Sequence, residues 1–140
     1  MLILDEPTNG LDPHQTDEMR RLIQSLARRA TIILSTHIVE DVADLCPRMA
    51  VLAGGKIQLE GAPADLMARM SGRVWQKTID RDALEEYRAT VEVISTRLFA
   101  GRTVIHVLAD TSPGAGFTPV SGGLEDVYFS TLSASRRLAA

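Results

Sequence analysis

MLILDEPTNGLDP, residues 1–13, is the stretch from which the fold can be read. Four apolar residues run straight into the carboxylates Asp5 and Glu6, followed by Pro7 and a loop containing Gly10. An unbroken apolar run of this length suits a strand buried on both faces, as in a parallel sheet. TIILS at 31–35 reads the same way. Between the two, Asp12 is a good helix N-cap, Pro13 suits the first helical position, and Gln15 stands three residues after the cap. Met19, Leu22, Ile23 and Leu26 recur at helical spacing, and Arg28 and Arg29 fall where the helix dipole favours cations. Strand, helix and strand make a βαβ unit, expected to be right-handed. The fold class is therefore α/β.

Further along, Ile38, Val39, Val42, Ala43 and Leu45 predict a short helix just after His37, ended by Pro47. RMAVLAGGKIQLEG (48–61) predicts two strands hinged at Gly54 and Gly55. A short helix is expected to start at Pro63. The texture changes at Ser71–Arg73, which is taken as a boundary between residues 1–70 and a smaller α/β unit over 71–140. In that second part a strand is expected at 74–79, a short helix at 82–89, and a helix or strand over the nineties. A strand at 103–109 and a Gly/Pro/Ser-rich loop at 111–123 follow. The last element is an amphipathic helix through Leu124, Val127, Tyr128 and Leu132.

Composition narrows the functional classes. The chain has 140 residues, 45% hydrophobic and 24% charged, which is the globular norm. A net charge of −3 gives no basic excess for a nucleic-acid partner. The single cysteine, Cys46, has no internal disulfide partner, which fits a reducing compartment, and no companions for a metal site. No apolar run approaches the roughly 18 residues that span a membrane.

An acidic pair at the C-terminal tip of a buried parallel strand occupies the usual place for a site in an open α/β sheet. The bland alternative is that Asp5 and Glu6 simply open a turn before Pro7. The next strand weakens it. That strand ends in Ser35, Thr36 and His37, and tips of neighbouring parallel strands share one edge of the sheet. Two carboxylates, a loop aspartate and a histidine can therefore converge.

These residues carry a resemblance. LILDEP resembles the Walker B segment of the ATP-binding-cassette (ABC) ATPases, NGLDP resembles their D-loop, and His37 of STH resembles their switch histidine, in the same order and spacing. The likeness is to bacterial exporters with separate ATPase and membrane chains, and covers about residues 1–70. The remainder, with GLEDVYF near its end, resembles the small C-terminal extension of many such ATPases. The resemblance implies a partial P-loop NTPase sheet with flanking helices, with ATP and Mg²⁺ as cofactors. It implies that Asp5 holds Mg²⁺, Glu6 orients and deprotonates the attacking water, Asp12 couples two ATP sites at a dimer interface, and His37 reaches the γ-phosphate. It also implies a membrane-spanning permease partner, a second ATPase subunit in a homodimer, and a place on the cytoplasmic face of the membrane. No nucleic-acid partner is expected.

The sequence contains no G-x-x-x-x-G-K-[ST] loop and no family signature segment; AGGK at 53–56 reads as a hairpin turn. The expectation is that this sequence is the C-terminal part of a longer ATPase, with the sheet neighbours of its first two strands upstream. Two other readings stay open. One is a non-catalytic interaction or regulatory remnant of such an ATPase. The other is a non-transport ABC-type ATPase, although chromosome-maintenance members place long heptad stretches before Walker B and lack this kind of extension. Helicase-type ATPases put Asp or His two positions after the glutamate, where Thr8 stands here. His106 in VIHVL is read as a structural strand residue.

Overall fold

A computed structural model describes residues 1–139, with side chains through Arg137. It is a mixed α/β chain in two compact units, Met1–Pro47 and Arg48–Ala140.

The first unit is the expected βαβ. Strand β1 (Leu2–Asp5) pairs in parallel with β2 (Ile32–Ser35), across helix α1 (Pro13–Ala27). Asp12 caps α1 as a full capping box: its carboxylate accepts from the Gln15 amide at 2.9 Å, and Gln15 Oε1 accepts from the Asp12 amide at 3.2 Å. Such a cap stabilises a helix by about 1 kcal/mol. Helix α2 (Val39–Leu45) follows, and stops at Cys46, before Pro47.

One expectation for this unit is not met. The apolar strands are not buried on both faces: the cross-strand neighbours Ile3 and Ile33 are 68% and 52% exposed. Leu22 of α1 also faces outward, and Ile23 is the unit's one buried hydrophobic side chain among the described residues. The apolar pattern is that of a sheet with further layers, and two strands with two helices supply too little surface to cover it.

The second unit begins with the hairpin β3 (Met49–Ala53) and β4 (Lys56–Gly61). Its two-residue loop is Gly54–Gly55, both at positive φ (58° and 71°), the geometry that matches strand twist and that glycine adopts without strain. Helix α3 (Pro63–Ala68) starts on its proline as expected. The remaining strands form one antiparallel sheet in the order β6-β7-β5-β8: β5 (Val74–Ile79), β6 (Val93–Phe99), β7 (Arg102–Leu108) and β8 (Thr118–Val120). The ambiguous segment in the nineties is thus a strand. A 3₁₀ turn at Arg81–Ala83 leads into α4 (Leu84–Thr90). Strand β8 lies inside the stretch read as loop. It is three residues long, contains Pro119, and pairs at the outer side of β5, where a missing N–H is tolerated.

The core of this unit is Ile79, Ile105 and Val107 on one face of the sheet, under Leu84 and Tyr87 of α4, with Val91, Val93 and Phe117 packed beside them. Each fully buried aliphatic side chain contributes about 1.5–3 kcal/mol. Helix α5 (Leu124–Ala139) buries Leu124 and Val127 and packs on α3, β3, β4 and β6. The hairpin and α3 therefore pack with the C-terminal residues, so the compact units part at Pro47, ahead of the texture break at Ser71.

Candidate active site at the tips of β1 and β2

Parallel register sets Asp5 beside Ser35, and the Ser35 hydroxyl donates to the Asp5 carboxylate. One residue beyond, the Glu6 amide donates to the Ser35 carbonyl at 2.8 Å, carrying the ladder a step past the strand ends. Glu6 then turns sharply. Its φ is +47°, a left-handed conformation that a glutamate adopts at a cost of about 1–2 kcal/mol. The Asn9 amide closes the turn onto the Glu6 carbonyl at 3.1 Å. Strain of this kind persists where surrounding bonds over-determine the backbone, and it is concentrated at functional positions.

The Glu6 side chain meets the tip of the other strand. His37 Nδ1 lies 2.9 Å from Glu6 Oε1, and the Thr36 hydroxyl donates to Oε2 at 3.4 Å while accepting from the Ile38 amide at 3.0 Å. Against a carboxylate, Nδ1 is the donor. Nε2 is then left without a partner among the described residues, on a side chain that is 66% exposed. The arrangement is an accessible carboxylate oriented by an imidazole and a hydroxyl, with a second carboxylate one residue away.

Three of the four sequence-predicted residues are thus gathered at the tips of the two strands: Asp5, Glu6 and His37. Asp12 is used otherwise. Its carboxylate caps α1, and no hydrogen bond or ion pair joins it to the other three among the described residues.

Sequence reading missed the buried polar cluster behind these loops. Asp41 is fully buried; Arg20 Nε and Nη2 reach its Oδ1 at 2.8 and 2.6 Å, and the Thr8 hydroxyl donates to Oδ2. Arg20 Nη1 also reaches Asp44 at 3.2 Å. The hydrogen bond to Asp41 holds the Arg20 guanidinium above its usual range, against the opposing effect of burial. Burial, helped by the Asp41 charge, pushes the Cys46 thiol up. One signal was available: Asp41 stands three residues after Ile38 and four before Leu45, an acid on the apolar stripe of α2.

A family model described as "AAA domain, putative AbiEii toxin, Type IV TA system" matches residues 1–40. The "Nod factor export ATP-binding protein I" of Rhizobium etli is 47% identical over 73 residues, 51% of this chain and 23% of that protein. The "Bacitracin transport ATP-binding protein BcrA" of Bacillus licheniformis is 51% identical over 67 residues, 46% of this chain and 22% of that protein. The chain spans less than a quarter of the length of these relatives. Over about half of its own length, the chain is similar to export and transport ATP-binding proteins, among them a "Putative ABC transporter ATP-binding protein" of Methanosarcina mazei, 41% identical over 76 residues, 53% of this chain and 13% of that protein.

Proposed function

We propose that this chain belongs to the ATPase subunit of an ABC exporter and carries the hydrolytic edge of its ATP site. The observation that supports this most is the Glu6–His37 pair at 2.9 Å, set beside Asp5 and Ser35 at the tips of two parallel strands. In this reading Glu6 is the general base. It accepts the proton of the attacking water on a carboxylate that His37 and Thr36 hold in place. His37 turns Nε2 toward the γ-phosphate, and with both ring nitrogens protonated it donates Nε2–H to the charge that builds up there during phosphoryl transfer. That reaction depends on positioning and charge stabilisation more than on covalent chemistry.

MgATP supplies the phosphoryl group and the counter-charge. The Asp5 carboxylate and Ser35 hydroxyl are hard oxygen donors, as Mg²⁺ prefers, and Mg²⁺ is ordinarily held by one or two carboxylates together with phosphate oxygens and water. Among the described residues no three His, Cys, Asp or Glu side chains are arranged so as to hold a metal ion by themselves. Asp12 is proposed to couple two such sites across a homodimer while its carboxylate also caps α1. A membrane-spanning permease subunit is the proposed partner, with this chain on the cytoplasmic face of the membrane. Among the described residues no helix is long and apolar enough to cross a membrane. Residues 71–140 are proposed as an accessory part that performs no chemistry.

The test is phosphate release by a complete ATPase containing this chain. Glu6→Gln keeps the shape and removes the base, and should lower turnover by about 10²–10⁴-fold with ATP binding retained. His37→Ala should slow hydrolysis sharply as well. A Glu6→Gln enzyme with near-parent turnover would place the base elsewhere.

A further inference from the structure

Asp41 lies in the first turn of α2 with no exposure to solvent, and it takes no direct part in the chemistry proposed above. Burying a carboxylate is costly unless its oxygens are filled. Here both are: Arg20 binds Oδ1 with Nε and Nη2, and the buried Thr8 hydroxyl donates to Oδ2. The chain positions of these groups give the cluster its meaning. Thr8 is two residues after Glu6, in the turn that Glu6 opens. Asp41 is four residues after His37. Arg20 is on α1, the helix that begins where the Glu6 loop ends.

We propose that Asp41 is a positioning residue whose buried carboxylate, gripped by Arg20 and Thr8, holds the loop carrying Glu6 against the loop carrying His37. Packing gives these loops little support, because Ile23 is the one buried hydrophobic side chain described in residues 1–47. Glu6 is also held in a left-handed backbone conformation that would relax without restraint. A hydrogen bond of 2.9 Å between the two loops weakens steeply if they part by an ångström, so the clamp sets whether the Glu6–His37 pair exists. The structural part of this proposal stands on the geometry alone. Its consequence for turnover rests on the function proposed above.

Thr8→Val and Thr8→Ser in the full chain separate the possibilities. Valine keeps the branched shape and loses the hydroxyl, leaving Asp41 Oδ2 without its donor; serine keeps the hydroxyl. Amide hydrogen exchange read by mass spectrometry should rise about 10–100-fold in residues 6–12 and 36–41 of the valine variant, the fold-change expected for a buried acceptor left unsatisfied. The serine variant should exchange like the parent. The middle of α1 and residues 48–140 should be unaffected in both. Unchanged exchange in the two loops of the valine variant overturns the clamp. So does a uniform rise across residues 1–47, which would make Thr8 a general stabiliser of the fold. In a complete ATPase, Thr8→Val should lower kcat with KM for ATP little changed, and Thr8→Ser should restore it. Faster loop exchange with unaltered turnover upholds the clamp and counts instead against the roles given to Glu6 and His37.

Discussion

His106 Nδ1 lies 2.8 Å from Asp126 Oδ1, joining the middle of β7 to the first turn of α5. Asp126 is almost fully buried and spends its other oxygen on the Gly123 amide at 2.9 Å, the cap of the same helix. Burial alone would raise this carboxyl. The His106 hydrogen bond, the Gly123 amide, the His106 charge and Ser95 outweigh it, and hold Asp126 below the usual carboxylate range.

The sign of the pH dependence follows. The folded state gives up the Asp126 proton more readily than the unfolded state, whose value is near 3.9, so the unfolded chain binds more protons in between. The stabilisation from Asp126 is complete above about pH 5 and is lost as pH falls through its folded value. The chain's single tryptophan, Trp75, donates its indole N–H to the Ala109 carbonyl at 3.0 Å in this unit and reports its unfolding. The urea midpoint seen by Trp75 fluorescence should fall between pH 5 and pH 3. Asp126→Asn should lose about 1–3 kcal/mol at pH 6 and flatten that acid limb. Parallel curves for parent and variant would show that Asp126 does not carry the linkage.

Gly122 sits where a side chain has no room. A Cβ there would meet Met70 Cβ at 2.6 Å and Val74 Cγ2 at 2.9 Å, and Val74 is fully buried. Gly122→Ala should therefore cost about 1–3 kcal/mol through overpacking. Gly122 lies outside the positive-φ range, so the loss should be steric rather than from backbone strain. A Trp75-detected midpoint equal to the parent's would show that the start of α5 can shift to make room.

The first unit's topology and the meeting of Asp5, Glu6 and His37 at the strand tips were legible in the sequence because their signals are local. Pro13 behind Asp12, the apolar runs at 1–4 and 32–34, and the residues at the strand tips each specify their own surroundings. The Thr8–Asp41–Arg20 cluster was hidden because it joins residues up to 33 positions apart, and a buried charge looks like any surface charge until its partner is placed. Strand β8 was hidden by its proline and its length. The division at Pro47 depends on α5 covering α3 and the hairpin, a tertiary choice that the composition change at Ser71 does not encode.

Two exposed apolar pairs make self-association the expected behaviour of the 140-residue chain. Ile3 and Ile33 are direct cross-strand neighbours on the β1–β2 sheet, and Leu52 and Ile57 are direct neighbours on the β3–β4 hairpin, at 68% and 61% exposure. Among the described residues neither two-stranded sheet has a third strand, so unpaired backbone edges accompany the apolar faces. Sedimentation should show a mass that grows with concentration. Ile3→Thr with Ile33→Thr should reduce it, since threonine keeps strand propensity and removes apolar surface. A parent chain that stays monomeric at high concentration would remove this expectation.

The last prediction concerns where the C-terminal part can be cut. Val51, Pro63, Leu66 and Met70 lie ahead of the texture break at Ser71, yet all four are buried. Helix α3 packs on α5, and Met70 abuts Gly122 at the approach to α5. A fragment starting at Ser71 loses these side chains and exposes the face of α5 that they cover. Each is worth about 1.5–3 kcal/mol when buried, and whole domains are stable by only about 5–15 kcal/mol. A fragment of residues 48–140 should therefore melt cooperatively by Trp75 fluorescence, while one of residues 71–140 should melt at a much lower temperature or show no transition. Equal midpoints for the two fragments would put the structural boundary at Ser71 and reduce the hairpin and α3 to a cover that the tail does not need.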